Sequence, residues 1–378
     1  MDGKTPVQIA ENPQFLSEQL LTYLGNKRAL LGFLGQGVQT VQQRLGRDKL
    51  AVLDLFAGSG IVSRYLRQFA SFQIANDLEP YAAAMGHCYL SSPSADLRDE
   101  LHATHAQLLA RLKHEPLRAG LIAELYAPRD DAEILPGERV FYTARNARYL
   151  DTARQLIAEL SPHLQRYFLG PLLAQASIHA NTSGVFKGFY KNAAGVGQFG
   201  GHGRDALQRI QKPIALPLPV FSHFAVPASV YQRDANALIS QLPPVDLAYL
   251  DPPYNQHPYG SNYFMLNLLL RYERPTELSE VSGIPPDWQR SAYNRRRDAL
   301  PALEHLVRGL NARFLLISFN SEGFITQDAM LTMLRAVGKT ELLETQYNTF
   351  RGSRNLRGRD KHVREYLFLL EKAPQPAT

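Results

Sequence analysis

The chain contains one cysteine, Cys88. That excludes a disulfide framework and any cysteine-based zinc site, so Cys88 is expected as a small buried apolar residue. No apolar run reaches the ~20 residues that a membrane span needs. Residues 1–12 are polar and carry no apolar signal core, so the expected location is cytoplasmic. Internal repeats are absent. Two phosphate-binding signatures are missing as well. No Gly-Lys-Ser/Thr follows the first glycine turn, and the turn is not Gly-x-Gly-x-x-Gly, so neither a Walker loop nor a pyrophosphate is implied.

What is present fits a globular enzyme. The 378 residues are 45% hydrophobic and 20% charged, a balance that argues against disorder. The length allows an α/β domain of about 250 residues plus an inserted one. The formal net charge of +6 is modest, but it would favour a polyanionic partner.

The most informative stretch is Asp251-Pro252-Pro253-Tyr254. The apolar run 245–250 before it reads as a buried parallel strand. Two prolines then stop the ladder, since proline cannot donate to it. A carboxylate, a stiff turn and an aromatic ring therefore collect past a strand end, where open α/β sheets bind ligands. The Asp251 carboxylate and the Pro252 carbonyl offer two acceptors. An exocyclic amine offers two N–H donors. Tyr254 is flat enough to stack on the ring that bears such an amine. A nucleobase fits, with adenine the first choice. The plain alternative is a proline turn with a helix-capping aspartate.

A second strand–turn–helix unit runs from Leu50 to Phe69, with its glycine turn at Ala57-Gly58-Ser59-Gly60. It reads as the first half of a nucleotide-binding βαβ unit, and the glycines let backbone approach a ligand closely. The following strand ends at Asn76-Asp77. An acid about 20 positions after the turn suits a ribose diol, with helix capping as the alternative. Lys27 follows a Gly25-Asn26 turn at a helix start. It reads either as an anion contact or, more commonly, as a solvated lysine. Asp234 ends a further strand and reads either as an adenine-amine contact or as a helix cap.

Between 91 and 225 the α/β rhythm breaks. Helical patterns at 97–112 and 150–176 lead into Asn181–Lys191, where aromatics alternate with Lys187 and Lys191 on glycine-rich backbone. That composition suits bases and phosphates, or else a solvated loop. A basic loop, Arg351–Arg359, lies between two strand-like runs, and Arg354 and Arg357 are its candidate phosphate contacts. Arg295-Arg296-Arg297 reads as a phosphate contact or a solvated charged face.

In this order the motifs resemble the D12-class, Dam-like DNA adenine-N6 methyltransferases, most of all the adenine methylases of restriction–modification systems. The resemblance runs from about Leu20 to Leu370. It implies a Rossmann-like S-adenosylmethionine-dependent methyltransferase sheet from 1–90 and 226–378, with an inserted, mainly helical target-recognition domain at 91–225. It implies S-adenosylmethionine contacts at Tyr23, Lys27, Asp54, Phe56, Gly58, Gly60, Asp77, Asp234 and Asp251. Asp251, Pro252, Pro253 and Tyr254 would act on an adenine flipped out of double-stranded DNA. Family members often carry tryptophan where this chain has Tyr23. No metal is implied. A cognate restriction endonuclease in the same system and a monomer on DNA are the expected associations. An RNA base or protein glutamine methyltransferase would also use Asx-Pro-Pro-Tyr. A DNA-binding protein that has lost catalysis is the alternative from another class.

Overall fold

The computed structural model describes residues 10–201, 203, 206–348 and 362–373. Among them, seven strands form one sheet: β1 (Leu50–Asp54), β2 (Ala70–Asp77), β3 (Ala228–Gln232), β4 (Val245–Leu250), β5 (Ala312–Asn320), β6 (Gly338–Asn348) and β7 (His362–Lys372). The order is β3-β2-β1-β4-β5-β7-β6. β1 to β5 run parallel. β7 is antiparallel to β5, and β6 to β7.

The apolar runs explain the layering. Successive side chains on a strand point to opposite faces. Leu53, Ala248, Leu250, Leu315 and Ile317 pack to one side, with helices Ala235–Leu238, Arg296–Gly309 and Gln327–Arg335. Val52, Leu247, Tyr249, Phe314 and Leu316 pack to the other, with helices Leu31–Leu45 and Ile61–Leu66. Both faces are covered, as a parallel sheet requires. This is a doubly wound, Rossmann-like sheet. Its strand order reverses between β1 and β4, which opens a crevice beyond their carboxyl ends.

Residues 91–225 are mainly helical, with helices Ala95–His114, Leu121–Tyr126, Ala144–Ala158, Pro162–Ile178 and Leu207–Gln211. The single helical pattern at 150–176 resolves into two helices. Proline disfavours helical backbone in the residue before it, and Ser161 adopts φ −58°, ψ 141° ahead of Pro162. These helices share one continuous core with helix Pro80–Tyr89 and with helix Phe264–Arg271. Tyr81, Met85, Phe168, Leu172 and Met265 all lie in it. The returning chain is fixed by Arg67, buried, whose guanidinium donates to the carbonyls of Phe224 (3.1 Å) and Val226 (2.9 Å). Cys88 is buried and unpaired, and burial pushes its thiol well up. No helix among the described residues is long and apolar enough to cross a membrane.

Candidate active site

Three strand ends are joined by one side chain. Asn76, at the end of β2, donates to the carbonyls of Leu55 and Arg233, both at 3.1 Å, and accepts from the Arg233 N–H. The ends of β1, β2 and β3 are thereby held in register. The turn after β1 needs left-handed backbone at Gly58 (φ +53°) and Gly60 (φ +78°), a region glycine enters without steric cost. In that conformation the Gly58 N–H donates to Asp77 Oδ2 at 2.7 Å, and the Glu79 N–H donates to Asp77 Oδ1 at 2.8 Å. Asp77 thus spans the turn instead of capping the helix that begins at Pro80. Burial raises its carboxyl above the usual range, and the backbone donors oppose that rise. Burial also pushes Glu79 to about 7; it accepts from Asn267 Nδ2 at 2.8 Å.

Lys27 is not the solvated lysine that composition favours. It is 4% exposed. Its Nζ lies 2.5 Å from Glu365 Oε1 and 3.4 Å from Asp251 Oδ1. Ser318 Oγ donates to the same Glu365 oxygen at 3.1 Å. Burial alone would lower the Lys27 ammonium, but Asp251 and Glu365 outweigh it and hold the proton on. Removal from water pushes the Asp251 carboxyl up to about 6, with Lys27 pulling down and Glu365 pushing up. Tyr254 meets Phe319 edge to face, centroids 6.0 Å apart, and its carbonyl accepts from the Phe324 N–H at 2.9 Å.

Tyr23 stacks on Tyr263 (4.6 Å) and on Tyr259 (5.1 Å), and its hydroxyl lies 3.0 Å from that of Tyr81. A Cβ at position 58 would press on the Tyr23 ring at 3.0 Å. Glycine is favoured there by its backbone angle and by this close approach.

Tyr23, Lys27, Phe56, Gly58, Asp77, Asp234, Asp251 and Pro253 line one cleft, a concave site of the kind small ligands occupy. Asp234 does two things: it lines the cleft and caps helix Ala235–Leu238 by accepting from the Ala237 N–H. Asp54 sits behind the wall. It is buried, accepts from Ser63 Oγ at 2.5 Å, and is pushed to about 7 by burial. Lys187 and Lys191 are exposed away from the cleft wall, with Lys191 Nζ 5.1 Å from the Phe189 ring centre. Arg354 and Arg357 lie outside the described residues. Arg295 and Arg297 are exposed beside Asp298, an arrangement open to either reading of that run. No cluster of metal-ligating side chains occurs among the described residues.

Residues 23–283 match the family described as D12 class N6 adenine-specific DNA methyltransferase. The chain belongs to that family. The chain is therefore an adenine-specific DNA methyltransferase. The type II methyltransferase M.NlaIII of Neisseria lactamica is 30% identical over 93% of this chain and 99% of its own length. M.CviAII of Paramecium bursaria Chlorella virus 1 is 27% identical over 92% and 97%. The modification methylase StsI of Streptococcus sanguinis is 25% identical over 94% of this chain and 52% of its own length.

Several cleft residues of this methyltransferase carry no local sequence signal. Gln289, Ser291, Tyr293 and Asn294 form one wall. Tyr293 packs edge-on against Phe56, and Asn294 Nδ2 donates to the Asn255 carbonyl just past Tyr254. Glu365 does not line the cleft but holds Lys27 from behind. Its one visible hint is a charged residue inside the mostly apolar run 363–370.

Proposed function

We propose that the cleft binds S-adenosylmethionine beside a pocket for one adenine flipped out of duplex DNA, and that Asp251 accepts the N6–H of that adenine. The observation that carries this reading is the placement of Asp251 and Asp77 on one cleft wall at the reversal point of the sheet. The chemistry of the lining fits the group. Four carboxylates, Asp77, Glu79, Asp234 and Asp251, line a cleft with an open glycine turn, and a ligand bearing a cationic sulfur and an ammonium suits such a lining. Asp77 would take the ribose diol and Asp234 the adenine amine of the donor. Phe56, Gly58 and Gly60 would cradle its methionine part, with Tyr23 and Lys27 on the same wall and Asp54 holding the strand end from behind.

When bound, the donor supplies a methyl on a positively charged sulfur, which the N6 nitrogen takes as the neutral thioether leaves. The protein prepares that nitrogen. The N6 lone pair is delocalised into the adenine ring and is a poor nucleophile. Hydrogen bonds from N6–H to Asp251 and to the Pro252 carbonyl favour a pyramidal nitrogen with a localised lone pair. Tyr254 would stack on the base, and the proton surplus to the methylated amine leaves through the Asp251 carboxylate. Lys187, Lys191, Arg354 and Arg357 would hold DNA phosphates, with residues 91–225 reading the target.

We take the enzyme to act in the cytoplasm as a monomer on DNA, as the modification partner of a restriction endonuclease. The names of the relatives as type II and modification methylases support that role. The test is transfer of a tritiated methyl group to duplex DNA, RNA and protein in parallel. Asp251→Ala should cost on the order of 10²–10³ in single-turnover rate, the scale of one lost preorganised hydrogen-bonding partner. Asp251→Asn should keep weak activity, because its carbonyl still accepts. Label in RNA or protein instead of DNA, or a wild-type rate for Asp251→Ala, would overturn the reading.

A further inference from the structure

We propose that Glu365 is a positioning residue for methyl transfer, one that shares the Lys27 ammonium and so governs how fully Asp251 acts as the N6–H acceptor. This rests on the reading of Asp251 given above. Glu365 is not on the cleft wall and is 3% exposed. It sits in β7 opposite Asn320 of β5. It does not line the cleft, so its effect on chemistry passes through Lys27 and through its own charge on Asp251.

The geometry sets one cation between two carboxylates. Lys27 Nζ is 2.5 Å from Glu365 and 3.4 Å from Asp251. The ammonium donates to Glu365 and also attracts Asp251, so the two carboxylates share one cation. Buried ions are expensive to desolvate, and an apolar residue is often as stable at such a position. Stability therefore gives no reason for a buried carboxylate on this strand. Its effect on the neighbouring pair does. With Glu365 neutralised, Lys27 would turn wholly to Asp251, whose carboxylate would become a weaker acceptor and a weaker base. With Lys27 removed instead, two buried carboxylates would face each other and Asp251 would protonate more readily.

The other titratable groups facing Asp251 leave this ordering intact. Tyr249, Tyr254 and Tyr259 are all raised by burial and stay neutral. Asp54 also faces it and titrates near 7; it is unchanged in every variant below.

The experiment is the pH profile of the single-turnover methylation rate on duplex DNA, with donor and DNA saturating. It compares the wild-type chain, Glu365→Gln, Lys27→Met and the double variant. The acid limb should lie lowest in Glu365→Gln, then wild type, then the double variant, and highest in Lys27→Met. Each outer step should be on the order of one pH unit, the scale of one nearby charge. The plateau of Glu365→Gln should fall several-fold while its affinity for the donor, by calorimetry, stays near wild type. A purely structural Glu365 would lower the rate without moving the limb. If Glu365→Gln does not fold, Lys27→Met against the double variant reads the charge of Glu365 on Asp251 with the cation absent, because only position 365 differs between them. Limbs that coincide, or that move in the same direction in both single variants, overturn the proposal. A wild-type rate for Asp251→Ala in the same assay instead overturns the reading beneath it.

Discussion

Asp77 and Asp251 stand at comparable places, just where β2 and β4 run out, yet the protein holds them by different means. Asp77 is held by backbone dipoles: the N–H groups of Gly58 and Glu79 take one oxygen each. Asp251 is held by an ion, Lys27, which is itself held more tightly by Glu365. Backbone donors come with the turn, carry no formal charge and do not titrate. A shared ammonium ties Asp251 to the protonation of its surroundings. A binding carboxylate needs only a fixed place. A carboxylate that takes part in chemistry needs a set basicity, and on the role proposed for Asp251 the second arrangement would supply it.

The comparison is broken most directly by exchanging the losses. Asp251→Ala should act on the chemical step, with the loss given above and donor affinity changed less. Asp77→Ala should do the reverse. It should weaken S-adenosylmethionine binding by about 1.5–3 kcal/mol, the worth of a charged hydrogen bond. Its single-turnover rate at saturating donor should stay within several-fold of wild type. Calorimetry and rapid-quench rates on both variants decide it, and unchanged donor affinity in folded Asp77→Ala removes the ribose role.

A smaller effect sharpens the contrast from behind the cleft. Asp54 has neither an ion partner nor backbone donors on both oxygens. Its Oδ1 has no hydrogen-bond partner. Burial places its folded value near 7, against an ordinary value of 3.8. The folded protein thus keeps a proton that the unfolded chain has released. That contribution to stability is full below about pH 4 and is lost as the pH rises through 7. Asp54→Asn imitates the protonated form, so it should raise the melting temperature more at pH 8 than at pH 5. An equal shift at the two pH values would mean the carboxyl is not protonated by burial.

The smallest effect concerns the exposed basic face. Lys187→Ala should weaken DNA binding on every sequence and reduce the salt slope by about one unit. Titrations at several salt concentrations, on cognate and unrelated duplexes, measure it. A loss confined to the cognate duplex would make Lys187 a base reader.

What was legible in the sequence was the part whose physics is local. A strand followed by two prolines, a glycine turn 55–60 and the pair Asn76-Asp77 each encode their geometry within a few residues. The structure brings all three to one cleft. The hidden part is carried by distant pairs. Glu365 is 338 positions from Lys27, and Tyr23 owes its place to Tyr259 and Tyr263. No window of sequence contains either partnership. Lys27 looked like a solvated lysine because its two carboxylates arrive from β7 and the turn after β4. The helical pattern 150–176 hid a break because periodicity alone does not register the cost of the residue before Pro162.

The core that runs without interruption from helix Pro80–Tyr89 through residues 91–225 to helix Phe264–Arg271 bears on engineering. Recognition segments are attractive cassettes to exchange between relatives, but a cut at 91 and 225 passes through packed side chains. Tyr81, Met85 and Met265 would lose their neighbours on one side of the cut, and Arg67 would lose the carbonyl of Phe224 on the other. A working chimera would carry 80–90 and 259–272 with the insert, and those flanks include Tyr259 and Tyr263, on which Tyr23 rests. Grafting residues 91–225 from a relative with those flanks would therefore replace part of the cleft wall together with the insert.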